Sequence, residues 1–308
     1  MEALATVLVI GLANGLIIAL IAIGYTLVYG ILELINFAHG DVFMLGTAFT
    51  FFALGFIVNT LGMDPASTQA LAMTFVALPV IMLGTASINA AIERVAYRPL
   101  RHAPRLAPLI SAIGMSFVLL NIGLLLLGPS PRAVEPIMPK EPLIVGPDGG
   151  VILGTEHVIV AAITLPLLLL LRWFVSATRQ GKAMRATAQD REASGLMGIN
   201  VDRTISLTFL IAGALAGAAG LVVALYYGQA RFDFGFSFGL LSFTAAVLGG
   251  IGNLSGAALG GIVIGLIKAL SDRYLEARWT DVLVFSILIL VLVFRPTGLL
   301  AEKQSERA

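Results

Sequence analysis

At least seven stretches of the chain meet or approach the roughly 20 consecutive apolar residues that a helix needs to cross a bilayer core about 30 Å thick. Such runs exceed what the core of a soluble domain uses. Charge is correspondingly scarce: 12% of the 308 residues are charged, against about 25% in a soluble domain. Lipid cannot satisfy free backbone groups, and the period-two alternation of a membrane barrel is absent, so the spans are helices. The expected fold is all-α: a polytopic transmembrane helical bundle of about 8–9 spans, some of them discontinuous or re-entrant, forming a single domain over 1–308. The spans fall near 5–30, 41–61, 69–92, 106–127, 157–174, 204–227, 236–252, 255–271 and 280–297. Met1-Glu2-Ala3-Leu4-Ala5 brings no Lys or Arg ahead of the first run, so that run reads as a retained span and not a cleaved signal.

Lys and Arg set the orientation. Segment 93–105 carries Arg94, Arg98, Arg101 and Arg105; segment 172–203 carries Arg172, Arg179, Lys182, Arg185, Arg191 and Arg203; the tail carries Arg295, Lys303 and Arg307. Together they hold 13 of the 19 basic residues, so all three are expected on the cytoplasmic side. Shared sidedness requires an even number of crossings between 204 and 297. That splits 236–271 at Gly249-Gly250-Ile251-Gly252-Asn253 and puts the N-terminus outside. Loop 128–156 is then extracytoplasmic. Its prolines 129, 131, 136, 139, 142 and 147 predict an ordered, mostly non-helical cap, which serves either to dock an external protein or only to connect two spans.

Within the cytoplasmic segment 175–203, the spacing predicts a helix from about 182 to 194. Lys182, Arg185, Gln189 and Glu192 share one side; Ala183, Ala186, Ala193 and Met197 share the other, with Asp190 among them. Gly195 and Gly198 stop it. A small-residue face admits close approach of another backbone, which suits a socket on a partner protein; a solvated linker is the plainer alternative.

A second polar segment, Asn36-Phe37-Ala38-His39-Gly40-Asp41, joins the first two spans at the membrane boundary. Ionisable residues there usually face a cavity or a partner. Histidine titrates near neutral pH, so a proton relay through His39 and Asp41 is one reading. The other is a polar knot of Asn36, His39, Gly40 and Asp41 that holds a helix break. Glycines supply a third pattern: Gly213 with Gly217, Gly252 with Gly256 and Gly260, and Gly261 with Gly265 are spaced for close helix packing in lipid. Asn253, Ser255 and Thr244 are candidates to line a path; no substrate site is read from the sequence.

Several chemistries are excluded. The chain has no cysteine, hence no disulfide, thiolate metal site or cysteine nucleophile. His39, His102 and His157 are scattered, no HExxH helix occurs, and no metal or cofactor site is expected. Gly181-Lys182 is followed by Ala, so there is no phosphate loop, and catalytic residues are not expected. The basic residues form no single face for nucleic acid. Any ATP-driven step needs a separate chain.

Ile35-Asn36-Phe37-Ala38-His39-Gly40-Asp41, Gly181-Lys182-Ala183-Met184-Arg185-Ala186 with Ala193 to Ile199, Ala246 to Gly256, and Arg295-Pro296-Thr297-Gly298-Leu299-Leu300 together resemble the permease subunits of bacterial ABC importers for branched-chain amino acids, of the shorter of the two permease types. The resemblance implies an inner-membrane heterodimer with a second related permease, two cytoplasmic ATPases and a periplasmic solute-binding protein. It implies a coupling role for Lys182, Arg185, Ala186, Asp190, Ala193, Leu196, Gly198 and Ile199. The implied cargo is leucine, isoleucine, valine or related small amino acids and amides. The alternatives are an ion-gradient-coupled secondary transporter, which would carry ionisable residues deep within its spans, and a passive channel.

Overall fold

The computed structural model describes residues 2–101, 103–104, 106–137, 141–146, 150–295 and 297–300. Of the positions named above, Met1, His102, Arg105, Pro139, Pro147, Pro296, Lys303 and Arg307 lie outside the described residues. The described chain is helical almost throughout. Its helices are α1 Glu2–Leu32, α2 Ala38–Gly55, α3 Thr68–Ile92, α4 Leu106–Leu127, α5 Thr155–Ala177, α6 Arg179–Gln189, α7 Arg191–Leu196, α8 Val201–Tyr227, α9 Phe234–Gly249, α10 Leu254–Tyr274 and α11 Thr280–Phe294. A π turn, Phe56–Thr60, extends α2, and another, Glu93–Tyr97, extends α3. Eight helices are long and apolar enough to cross a membrane.

The bundle is built around α1 and α8, both largely buried. No charged residue falls between Glu2 and Glu33, so α1 can bury most of its circumference; it packs chiefly on α10, α8 and α9. Helix α8 packs on α3 and α2. Helices α3, α4, α5 and α11 form the outer sheath, with few of their residues buried, as a lipid-facing surface requires.

The segment expected as a span over 236–252 is shorter than that. Helix α9 has 16 residues, about 24 Å at 1.5 Å per residue, less than the hydrocarbon thickness. Only together with the stretch before it does the chain here reach from one end of the bundle to the other. Before it, β4 (Gln229–Ala230) pairs antiparallel with β1 (Arg132–Ala133) of the loop after α4. After it, Leu299 N–H donates to the Leu248 carbonyl (2.9 Å), Leu300 N–H donates to that of Gly249 (3.0 Å), and Asn253 Nδ2 donates to that of Leu300 (2.7 Å). The chain therefore breaks between α9 and α10, where Asn253 caps α10 by accepting from the Ser255 and Gly256 amides (2.9 and 3.1 Å).

The two ends of the bundle differ in character. At one end Arg98 and Arg101 reach Asp202, Arg101 also reaches Glu93, and Arg191 reaches the end of α1. At the other lie β1–β4 and a second antiparallel pair, β2 (Pro142–Val145) with β3 (Val151–Gly154). Leu143 and Leu196, both exposed, mark these ends. Single cysteines at Leu143 and Leu196, in a chain with none of its own, are expected to react with an impermeant maleimide from opposite faces of sealed vesicles. Labelling of both from one face would overturn the crossing pattern.

Candidate functional site

The segment between α5 and α8 is two helices, not the single helix predicted over 182–194. Thr178 caps α6 by accepting from the Gly181 amide (3.0 Å). At Asp190 the backbone turns extended (φ −155°, ψ 112°), and the carboxylate accepts from the Ala193 amide (2.9 Å), capping α7. Aspartate is a preferred N-cap because its oxygen satisfies an orphan amide, and that preference overrides the helical periodicity. Gly195 lies inside α7; Gly198 ends it. With φ +84°, Gly198 completes a Schellman turn in which Ile199 N–H donates to the Ser194 carbonyl (3.0 Å) and Gly198 N–H to that of Gly195 (3.1 Å).

One face of α6 is turned into the protein: Gly181, Met184 and Thr187 are buried, and the Arg185 guanidinium donates to the Val175 carbonyl at the end of α5. Ala186 is half-buried, so part of the small-residue face is covered by this chain's own helices. Lys182, Arg185 and Asp190 are exposed, as are Ala193 and Gly198, and Ile199 is half-buried. The tip is apolar and open: Leu196 is 86% and Met197 84% exposed.

Arg191, the first residue of α7, donates through Nη2 (2.7 Å) and Nε (3.2 Å) to the Ile31 carbonyl in the last turn of α1. Burial holds its pKa below the usual range, against the opposing pull of Glu33. A mostly polar cavity of about 440 Å³ lies alongside, lined by Glu33, Leu34, Arg101, Gln189 and Arg191 among others. The sequence offers no signal for this contact: its acceptor is a backbone carbonyl 160 residues away.

Beyond Ile31 the helix breaks. Glu33 takes a left-handed backbone (φ +54°), and the chain turns back along α1 before α2 begins at Ala38. Asn36 Oδ1 accepts from the buried Tyr97 hydroxyl (2.9 Å). His39 is fully buried and meets Tyr25 edge to face (centroids 4.8 Å apart). Its ring lies against Gly24, where a Cβ would stand 2.2 Å from Nε2. Asp41 accepts from the hydroxyl of Ser116, the middle of α4, and it flanks Gly235 in the first turn of α9. His39 and Asp41 are thus deeper than the boundary position expected from the sequence. The reason is the turn after Leu32, which returns the start of α2 to the level of residues 24–25. The helix breaks between Leu32 and Ala38 around these buried polar groups, and no direct hydrogen bond joins His39 to Asp41 among the described residues.

The spaced glycines divide. Gly213 and Gly217 meet α3 at Thr85, Ala86 and Asn89, while Gly256 and Gly260 meet α9 at Gly249 and Ala245. Gly252 (φ +98°) belongs to the turn ahead of α10, with nothing within 4 Å of its own Cβ position, and its backbone lies against Gly30 of α1. No cluster of three potential metal ligands occurs among the described residues.

Residues 7–292 match the family model described as a branched-chain amino acid transport system permease component. The chain is 41% identical to the high-affinity branched-chain amino acid transport system permease protein BraD of Pseudomonas aeruginosa, over 97% of this chain and 96% of that one. It is 41% identical to the corresponding permease LivH of Escherichia coli K12, over 96% and 95%. The autoinducer 2 import system permease LsrC of Klebsiella pneumoniae is 33% identical over 42% of the chain. No solved structure matches.

Proposed function

Because the chain belongs to the family of branched-chain amino acid transport permeases, we propose that this multi-pass membrane protein carries leucine, isoleucine, valine or a related small amino acid or amide across the bacterial inner membrane, driven by ATP that other chains hydrolyse. The working assembly comprises this chain, a second related permease, two cytoplasmic ATPases and a periplasmic solute-binding protein. The end of the bundle carrying α6 and α7 faces the cytoplasm, and loop 128–156 faces the periplasm and the binding protein. Residues 175–203 are the ATPase-coupling segment.

The observation that carries this reading is that α7 offers an exposed apolar tip at Leu196 and Met197 while its first residue holds the end of α1. A partner that grips the tip thereby acts on the spans. A partner shifts a conformational equilibrium only by binding one state better; ATP-driven closure of an ATPase pair supplies that difference. Lys182, Ala193, Gly198 and Ile199 shape the surface around the tip, Arg185 and Ala186 fix α6 to the bundle, and Asp190 fixes the angle between α6 and α7.

The test is Leu196→Glu. A charge set into an apolar socket loses its water and gains no partner, which opposes docking strongly. The ATPases should then no longer co-purify in mild detergent, and ATP-driven uptake should be lost while the chain stays in the membrane. Full uptake by this variant would remove the docking role. Uptake by this chain alone under a proton or sodium gradient would favour the secondary transporter, to which the buried Asp41 and His39 point.

A further inference from the structure

Two helices begin in mid-bundle, side by side. Helix α2 starts beside residues 24–25 of α1, and α9 starts beside Asp41, which is bonded to the midpoint of α4. Buried polar groups are nearly always paired. Of nine buried side-chain polar atoms without a partner among the described residues, five lie on the three stretches that meet here: Thr26 Oγ1, Asn36 Nδ2, both nitrogens of His39, and Ser242 Oγ. All four residues are at least 98% buried. One carboxylate, Asp41, lies two residues beyond His39, against Ser116 of α4 and the first turn of α9, whose positive end favours an anion. The set is one carboxylate, which accepts from Ser116, and several buried polar groups short of partners, with the His39 ring beside the Ile21 backbone.

We propose that this cluster holds the polar head of the transported α-amino acid. Asp41 takes the ammonium group; Asn36 Nδ2, the Ser242 hydroxyl and an N–H of His39 take the carboxylate. This rests on the transport reading and names its binding residues. The structure shows the seam closed. A Cβ at Gly40 would stand 2.4 Å from the Gly235 carbonyl oxygen and 3.1 Å from Gly239 Cα, so α2 and α9 meet backbone to backbone at this point, with the Phe43 and Phe238 rings packed 5.5 Å apart beside it. Parting the two helices exposes the cluster, and closing them expels the ligand. Tyr25 bridges the halves, edge to face with His39 and, at 6.1 Å, with Phe243 of α9.

The test uses the complete assembly in proteoliposomes, with radiolabelled leucine delivered by its binding protein. Uptake and binding-protein-stimulated ATP hydrolysis are read together for Asp41→Asn and Ser242→Ala. Asp41→Asn should cut uptake about 30-fold, the loss expected when one partner of a buried charge-assisted contact goes, while stimulated hydrolysis stays within about twofold. Ser242→Ala removes one hydroxyl and little packing; it should cut uptake about threefold, again without a matching loss of hydrolysis. If Asp41→Asn fails to assemble, Ser242→Ala decides alone. Normal uptake by the assembled variants, or hydrolysis that falls in step with uptake, overturns the proposal. An unaltered assembly that moves no leucine with ATP refutes the transport reading itself, which separates the two failures.

Discussion

Gly265→Val is expected to leave almost no folded permease in the membrane. Helix α10 lies along α1 in the most extensive helix pairing of the bundle, and the two backbones touch. A Cβ at Gly265 would stand 2.2 Å from the Gly15 amide nitrogen, 2.3 Å from Gly15 Cα and 2.6 Å from the Gly11 carbonyl oxygen. None of these atoms belongs to a side chain that can rotate away. Ordinary overpacking costs about 1–3 kcal/mol because neighbours adjust; here two helices must separate. A cost above about 4–5 kcal/mol is a large share of the 5–15 kcal/mol typical of a folded domain, and at the lower end nearly all of it. Membrane-fraction yield and thermal unfolding in detergent report the effect. Gly114→Ala is the control: it lies in α4 with nothing within 4 Å of the added methyl, and helix propensity favours Ala by about 1 kcal/mol. A Gly265→Val chain that accumulates and melts like the parent would mean that α1 and α10 do not pack as described.

That pairing was half legible in the sequence. The GxxxG spacing of Gly261 and Gly265 announces a close contact, but nothing in the spacing says that α1 is the partner, since Gly11 and Gly15 carry the same period. Hydropathy located the eight long helices because the cost of unpaired backbone in lipid is met locally, residue by residue. Depth is another matter. Hydropathy does not register that α2 and α9 begin in mid-bundle, because their apolar content continues across the break; Asp41 reads as a boundary residue until Ser116 and Gly235 place it. Asp190 did carry a signal. An Asp three residues ahead of a free amide is an N-cap pattern, and the helical period running through 182–194 masked it. The exposed Leu196 and Met197 follow directly from that break. The set of unpartnered groups near Tyr25 has no sequence signature, because it is made by three stretches separated by up to about 200 residues of chain.

Arg191 is where the local and the long-range parts meet, and Arg191→Ala is expected to cut ATP-driven uptake by tenfold or more, about the reach of a 1.5–3 kcal/mol charged hydrogen bond, with the ATPases still bound. The guanidinium contributes two hydrogen bonds to one carbonyl, that of Ile31. Coupling free energies between sites run about 1–3 kcal/mol, or 5–150-fold, so one such link can account for much of the transmission between the tip proposed to dock the ATPases and the spans. Two residues beyond Ile31 lies the left-handed Glu33, and five beyond lies Asn36. A pull on Ile31 therefore bears directly on the break that positions His39 and Asp41. Arg191→Lys keeps a charge but loses the planar fork, and should fall between the parent and the alanine variant. Co-purification of the ATPases, ATP hydrolysis and uptake, measured on the same proteoliposomes, separate transmission from docking. Continued hydrolysis with little uptake is the signature of a severed link. Loss of the ATPases would make Arg191 a docking residue instead, and unchanged uptake would mean that the motion reaches the helix break by another route, through the contacts of α6 with α5 and α8.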